Sequence, residues 1–360
     1  MQYTRPEAGA PLNGVAKLRR TDHREIEEGS ETESMPFPID IKLFADGQNL
    51  AVVDDVALRD RILPIFGGKR STPEERWQGI GTCFRIDPFG TCATAFHVIE
   101  DLITPSIDGA TIEIEPDNFL AALEMPAIIF GEVSIPQDWW RPLSGISSVC
   151  AGIERRPLQE AQIWNASELT SLVLTPAVPS NSIPFLSTHL TWVPQIGDRV
   201  LAMGYAGLDL DLEGVGDHRP LKQCIYASLG EVIDIVHANG DSSQPWPKLH
   251  VNADWPGGMS GGPVFNEAGN VIGLVSAGMG SVSTATWFGG WTIPEWQFPT
   301  VDPVNPGRFL GYAVIDKYGE VRLFSPKRSA CEDLIKEIPG SAIRFVSFNP
   351  GTREHIRLNA

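Results

Sequence analysis

Two residues of this 360-residue chain could together break an acyl bond: Ser260, in DWPGGMSGGPVF, and His97, in GTCATAFHVIE. A serine hydroxyl attacks a carbonyl only when a base takes its proton and hydrogen-bond donors receive the charge that grows on the oxygen. The glycines around Ser260 suit the second condition, because Gly258 has no side chain to keep the N–H groups of residues 258 and 260 from converging on one point. His97 ends a strand of small residues, a place from which an imidazole reaches out of a core into a cleft and acts as a general base. The bland alternatives are an incidental serine in a glycine-rich turn and a structural histidine, and each residue taken singly favours them.

Whatever brings residues 97 and 260 together is built from strands. The chain is 42% hydrophobic and 20% charged, with 35 glycines and 29 prolines punctuating short apolar runs. From GTCFRI through TCATAFHVI, DRVLAMGY, EVIDIV, KLHVNA and VIGLVSA to FLGYAVI there are a dozen such runs, several alternating with period two. That pattern predicts an all-β domain of antiparallel barrels or a sandwich, with helix as the minor component. Residues 1–70 read as an N-terminal extension, a polar arm followed by a short strand and a helix over 52–62 that stops at Pro64 and the pair Gly67–Gly68. Residues 71–325 form the main domain, and 326–360 hold a helix at 330–338 and a final strand packing on it. The stretch 281–308, with its three tryptophans and many turn formers, reads as a long surface loop.

Composition excludes several classes. A formal net charge of −17 repels nucleic-acid backbones and anionic membranes and favours cationic peptides or proteins. No run approaches the ~20 apolar residues of a membrane helix, and the N-terminus lacks the apolar core of a secretory signal, so a cytoplasmic location is expected. The five cysteines form no C-x-x-C pair and no zinc spacing, which makes reduced thiols the default, although Cys83 and Cys92 could meet across a hairpin. The carboxylates Asp209, Asp211 and Glu213 lack the spacing of a calcium loop; no metal site and no cofactor are expected. The sequence assigns no oligomeric state.

The stretches GIGTCFRIDPFGTCATAFHVI, IGDRVLAMGYAG, ASLGEVIDI and PGGMSGGPVFNEAGNVIGLVSAG together resemble the trypsin-like (chymotrypsin-fold) serine peptidases of bacterial type, over about residues 77–280 with a weaker echo at GRFLGYAVI. The resemblance implies two antiparallel six-stranded β-barrels, Ser260 as nucleophile, His97 as general base, and the amides of Gly258 and Ser260 as oxyanion hole. The third member of such a triad is an aspartate in a strand D-x-A-x-L; the best match, ASELTSLVLTP, puts Glu168 there and Thr170 in place of the alanine. Glutamate does the same electrostatic work with one more methylene to accommodate. Asp108, Asp117 and Asp138 lie between histidine and serine without that strand context, and a triad with no acid stays open.

The same resemblance places Asp254 at the floor of the pocket for the residue before the scissile bond, with Ser276 to Gly278 as its walls, which implies cleavage after arginine or lysine. Where zymogen-type relatives carry an aspartate before the nucleophile, this chain has Met259, which cannot pair with a new N-terminus. The expected function is a serine endopeptidase of narrow range acting on a protein or peptide substrate, with one dedicated partner protein as a candidate. The competing expectations are an inactive trypsin-like domain that binds peptides or a partner, and a serine esterase.

Overall fold

The computed structural model describes residues 15–16, 37–39, 49–53, 55–72, 77–86, 90–105, 112–124, 137–154, 162–175, 183–186, 188–189, 192–208, 224–237, 244–279, 281–288, 302, 305, 308–325, 328–349 and 352–358. In chain order, a two-residue strand β1 (Val15–Ala16) and β2 (Leu50–Val53) precede a one-turn helix α1 (Val56–Arg59) and β3 (Ile62–Lys69). Then come β4 (Gln78–Arg85), β5 (Thr91–Ala95), helix α2 (Phe96–Ile99), a small hairpin of β6 (Ile103–Pro105) and β7 (Ile112–Ile114), and β8 (Asn118–Leu123), β9 (Trp140–Glu154) and β10 (Gln162–Leu174). β10-β5-β4-β3-β8-β9 close into the first six-stranded barrel.

The second barrel is built from β11 (Arg199–Tyr205), β12 (Ile225–Val236), β13 (Lys248–Val251), β14 (Pro263–Phe265), β15 (Val271–Met279) and β16 (Val282–Trp287). The order β12-β11-β14-β15-β16-β13 returns from β13 to β12, so this ring is also closed, and β2 and β1 hang on the outer end of β12. The fold is thus mostly β, with two closed six-stranded antiparallel barrels and few helices. Period-two alternation decides what each face does. On β11, Val200 and Ala202 point into the second barrel's core, while Leu201, Met203 and Tyr205 belong to the core that runs from the first barrel across the seam. The Tyr205 hydroxyl crosses that seam to donate to the Ile62 carbonyl at 3.1 Å.

The last unit is a four-stranded sheet, β18 (Val321–Ser325), β17 (Phe309–Ile315), β19 (Ala342–Phe348) and β20 (His355–Arg357), with helix α3 (Arg328–Ile335) against it. It docks on the segment joining the barrels: Phe345 meets Phe185 edge-on at 6.0 Å, and the Arg328 guanidinium donates to the Thr188 carbonyl.

Several sequence expectations shift. The helix expected over 52–62 is one turn only, capped by Asp55 Oδ1 on the Ala57 N–H, between a strand that pairs with β12 and a barrel strand. Gly67 and Gly68, read as helix stops, lie in β3; a Cβ at Gly68 would sit 2.5 Å from the Trp77 ring, so the glycine makes room for that indole. Residues 62–69 therefore belong to the first barrel and not to an extension ending at 70. At the other end β17 and β18 join β19 and β20, so a boundary at 325 would cut one sheet in two. The first part of the expected 281–308 loop is β16, with Trp287 4% exposed in the second barrel's core; residues 289–301 lie outside the described residues. In the expected arm, Val15–Ala16 pair with β2 in parallel, and most of the remainder lies outside the described residues, as do Asp209, Asp211 and Glu213. Cys83 and Cys92 are buried free thiols. Among the described residues no helix is long and apolar enough to cross a membrane, and no group of three His, Cys, Asp or Glu side chains could hold a metal ion.

Candidate active site

β5 is made of small buried residues because it passes close under the second barrel, and it ends in the single turn of α2. In that turn Phe96, Val98 and Ile99 face the core, which leaves His97 alone turned outward. β10 pairs with β5 through Leu169 and Ala95, which sets Glu168 beside the histidine turn. The pairing of β10 with β9 is interrupted between Asn165 and Thr170, so Glu168 lies in an irregular stretch that can take up its extra methylene. His97 Nδ1 is hydrogen-bonded to Glu168 Oε1; the Glu168 side chain is 3% exposed and that of His97 39%. With the carboxylate as acceptor, Nδ1 carries the proton and Nε2 is left as the free base.

Ser276 lies at a bulge in β15 and its hydroxyl donates to the same Glu168 oxygen at 3.4 Å. Sequence reading had it as a pocket wall; what betrays its second role is the register shift after Val275, which is not legible in residue types. Gly278 pairs with Ser283 across β15 and β16. Lys248 on β13 feels the same carboxylate: burial pulls its pKa down and Glu168 partly offsets this.

The Ser260 turn is pressed between the barrels. Gly258 and Gly261 have φ of 94° and 81°, left-handed values that disfavour any side chain. A Cβ on Gly261 would lie 2.2 Å from Thr94 Oγ1 and 2.3 Å from the Thr82 carbonyl; one on Gly258 would lie 2.4 Å from the Tyr205 carbonyl. The Gly261 N–H donates to the Val275 carbonyl and the Thr82 N–H to the Ser260 carbonyl, at 2.8 and 2.9 Å. The fully buried Met259 anchors the turn in the second barrel's core. Gly261 packs against Thr94 and Ala95 of β5, and His97 follows Ala95 by two residues in the chain, so the serine turn and the strand that leads into the histidine turn meet at the seam. Among the described residues the N–H groups of Gly258 and Ser260 and the Ser260 hydroxyl make no hydrogen bond.

Of the other acids, Asp117 is exposed on the turn before β8, where the Ser71 hydroxyl and N–H hold its carboxyl below the usual range. Asp138 makes no bond to His97, and Asp108 lies outside the described residues. Glu168 is the carboxylate that reaches the histidine. Asp254 departs from its expected place. Ala253 and Trp255 are buried, and the Ser283 hydroxyl donates to the Ala253 carbonyl at 2.8 Å and accepts the Trp255 N–H at 2.9 Å. Between these two buried residues Asp254 is exposed, so it does not form the buried base of a slot.

A double barrel with a histidine on one half and a serine turn on the other defines the chymotrypsin-type architecture. The family model described as a trypsin-like peptidase domain matches residues 81–274, just over half of the chain, and the protein belongs to that family. A comparison with curated proteins finds no match. Among solved structures, the chain is similar to the active form of the Rv3671c protease from M. tuberculosis, with 16% identity, a TM-score of 0.38 and coverage of 74% of this chain and 91% of that one. It is also similar to Deg5, with 14% identity, a TM-score of 0.38 and coverage of 64% and 85%. Likenesses this distant transfer no residue role.

Proposed function

We propose that the protein is a serine endopeptidase in which Ser260 attacks the scissile carbonyl, His97 takes its proton and later returns it to the leaving amine, and Glu168 stabilises the imidazolium. The Gly258 and Ser260 N–H groups donate to the oxyanion, where a single donor is worth about 10²- to 10³-fold in rate. An acyl-enzyme on Ser260 is then released by water. The observation that carries this reading is the His97–Glu168 hydrogen bond, together with a serine turn whose Gly258 and Ser260 amides make no hydrogen bond among the described residues.

Met259 in the core takes the place of the zymogen aspartate, so the enzyme is folded as made and not activated by an inserted N-terminus. Asp254 supports a preference for cleavage after arginine or lysine, and its exposure sets the size: a solvent-screened charge contributes up to about 1 kcal/mol, or roughly fivefold. A cytoplasmic location would go with a narrow range, in the limit one dedicated partner protein.

Wild type and Ser260→Ala are incubated with a proteome-derived peptide library and the products read by mass spectrometry. Cuts made by wild type alone, enriched severalfold after basic residues, are expected, with the enrichment lost in Asp254→Asn. Absence of cuts would turn the reading toward a peptide-binding domain, and broad digestion of casein would remove the narrow range.

A further inference from the structure

The two peptide groups on either side of Gly258 are both held by residues outside the serine turn. The Gly207 N–H donates to the Gly257 carbonyl at 3.0 Å, and in a trans peptide this turns the Gly258 N–H to the opposite side. The Thr82 hydroxyl donates to the Gly258 carbonyl at 2.8 Å and accepts the Tyr205 N–H at 2.9 Å. Thr82 is fully buried in β4 of the first barrel, its N–H donates to the Ser260 carbonyl at 2.9 Å, and its own carbonyl accepts the Thr94 hydroxyl at 2.8 Å. One side chain of the first barrel thus fastens the turn of the second at Gly258, while its main chain fastens the same turn at Ser260.

We propose that Thr82 is a positioning residue that sets the oxyanion hole from across the barrel seam, so that the hole stands formed before substrate arrives. The proposal rests on the hydrolase reading above, and it assigns to the Thr82 hydroxyl a task that neither packing nor chain connectivity performs. A glycine with a left-handed φ is free to rotate its flanking peptides, and a hole that collapses between turnovers must be rebuilt at each one. Thr82 touches neither substrate nor the reacting atoms; its effect passes through the Gly258–Met259 peptide, whose N–H donates to the Pro256 carbonyl at 3.2 Å.

The test compares Thr82→Val, which keeps the shape and removes the hydroxyl, with Thr82→Ser, which keeps the hydroxyl. Two quantities are read: turnover of a peptidyl-arginine p-nitroanilide, and hydrogen exchange of the Met259 amide. Thr82→Val should lower kcat by about tenfold or more with KM within about twofold, since only the transition state needs the hole. It should also speed Met259 exchange by about tenfold, beyond any change at core amides of β11. Thr82→Ser should keep both within about threefold. Should Thr82→Val not fold, Thr82→Ala gives up the same hydroxyl with less crowding and carries the same expectation. Wild-type kcat and Met259 exchange in the valine variant would overturn the proposal, as would a serine variant as impaired as the valine one. If even the wild type leaves the anilide intact, Met259 exchange alone decides whether Thr82 clamps the turn, and labelling of Ser260 by an alkyl fluorophosphonate decides the hydrolase reading separately.

Discussion

The His97–Glu168 contact joins a half-exposed imidazole to a buried carboxylate, and the orientation of the ring follows from which partner donates. Replacing Glu168 by glutamine turns an acceptor into a group that can donate, which favours the wrong imidazole tautomer. Glu168→Gln should therefore lower kcat/KM by about 10³- to 10⁴-fold at neutral pH. Glu168→Asp should lose about a hundredfold, because the Leu169–Ala95 pairing fixes the strand and the shorter side chain falls short of Nδ1. Steady-state kinetics of both variants check this, and an aspartate variant as active as wild type would mean that the strand moves freely. The pairing of His97 with Glu168 was legible, because Glu168 stands in the strand context expected of the acid. The roles of Asp254 and Ser276 were not. Asp254 lies beyond the end of β13, exposed between the buried Ala253 and Trp255, and a bulge brings Ser276 onto the acid.

The serine turn works as an element only because three neighbouring backbones leave no room for side chains. Gly261→Ala sets a Cβ against Thr94 and Thr82 at a left-handed φ and should destabilise the protein by more than about 2 kcal/mol, whereas a Cβ at Gly257 meets nothing within 4 Å. Gly257→Ala should stay within about 0.5 kcal/mol of wild type. Urea denaturation of the two variants makes the comparison, and equal losses would mean that the turn is looser than its contacts imply. The glycine pattern itself was readable in the sequence; which glycine is indispensable was not, since it depends on strands β4, β5 and β11 that arrive from more than 50 residues away. The same limit hid the edges of the fold. Gly67 and Gly68 looked like a helix stop because the side chains beside them, Leu102 and Ile80 at the first and the Trp77 ring at the second, come from later in the chain.

For the whole molecule, short alternating runs were enough to indicate antiparallel barrels or a sandwich, because each strand carries its own period, and it was the family resemblance that implied two closed barrels. They did not show that β17 and β18 leave the barrels, since the preference of one apolar strand for another is settled by pairings such as Phe309 with Phe348, distant in sequence. The resulting third sheet rests on the inter-barrel segment at Phe185 and Thr188. Ser260 and His97 come from different barrels, so a working pair requires that folding alone brings them together. The most direct measurement is intact and peptide-mapped mass spectrometry after exposure to an alkyl fluorophosphonate. One adduct per chain is expected, on Ser260, absent in Ser260→Ala and formed at least about a hundredfold more slowly in His97→Ala. A folded wild type that takes up no adduct, or labels equally well without His97, would contradict it.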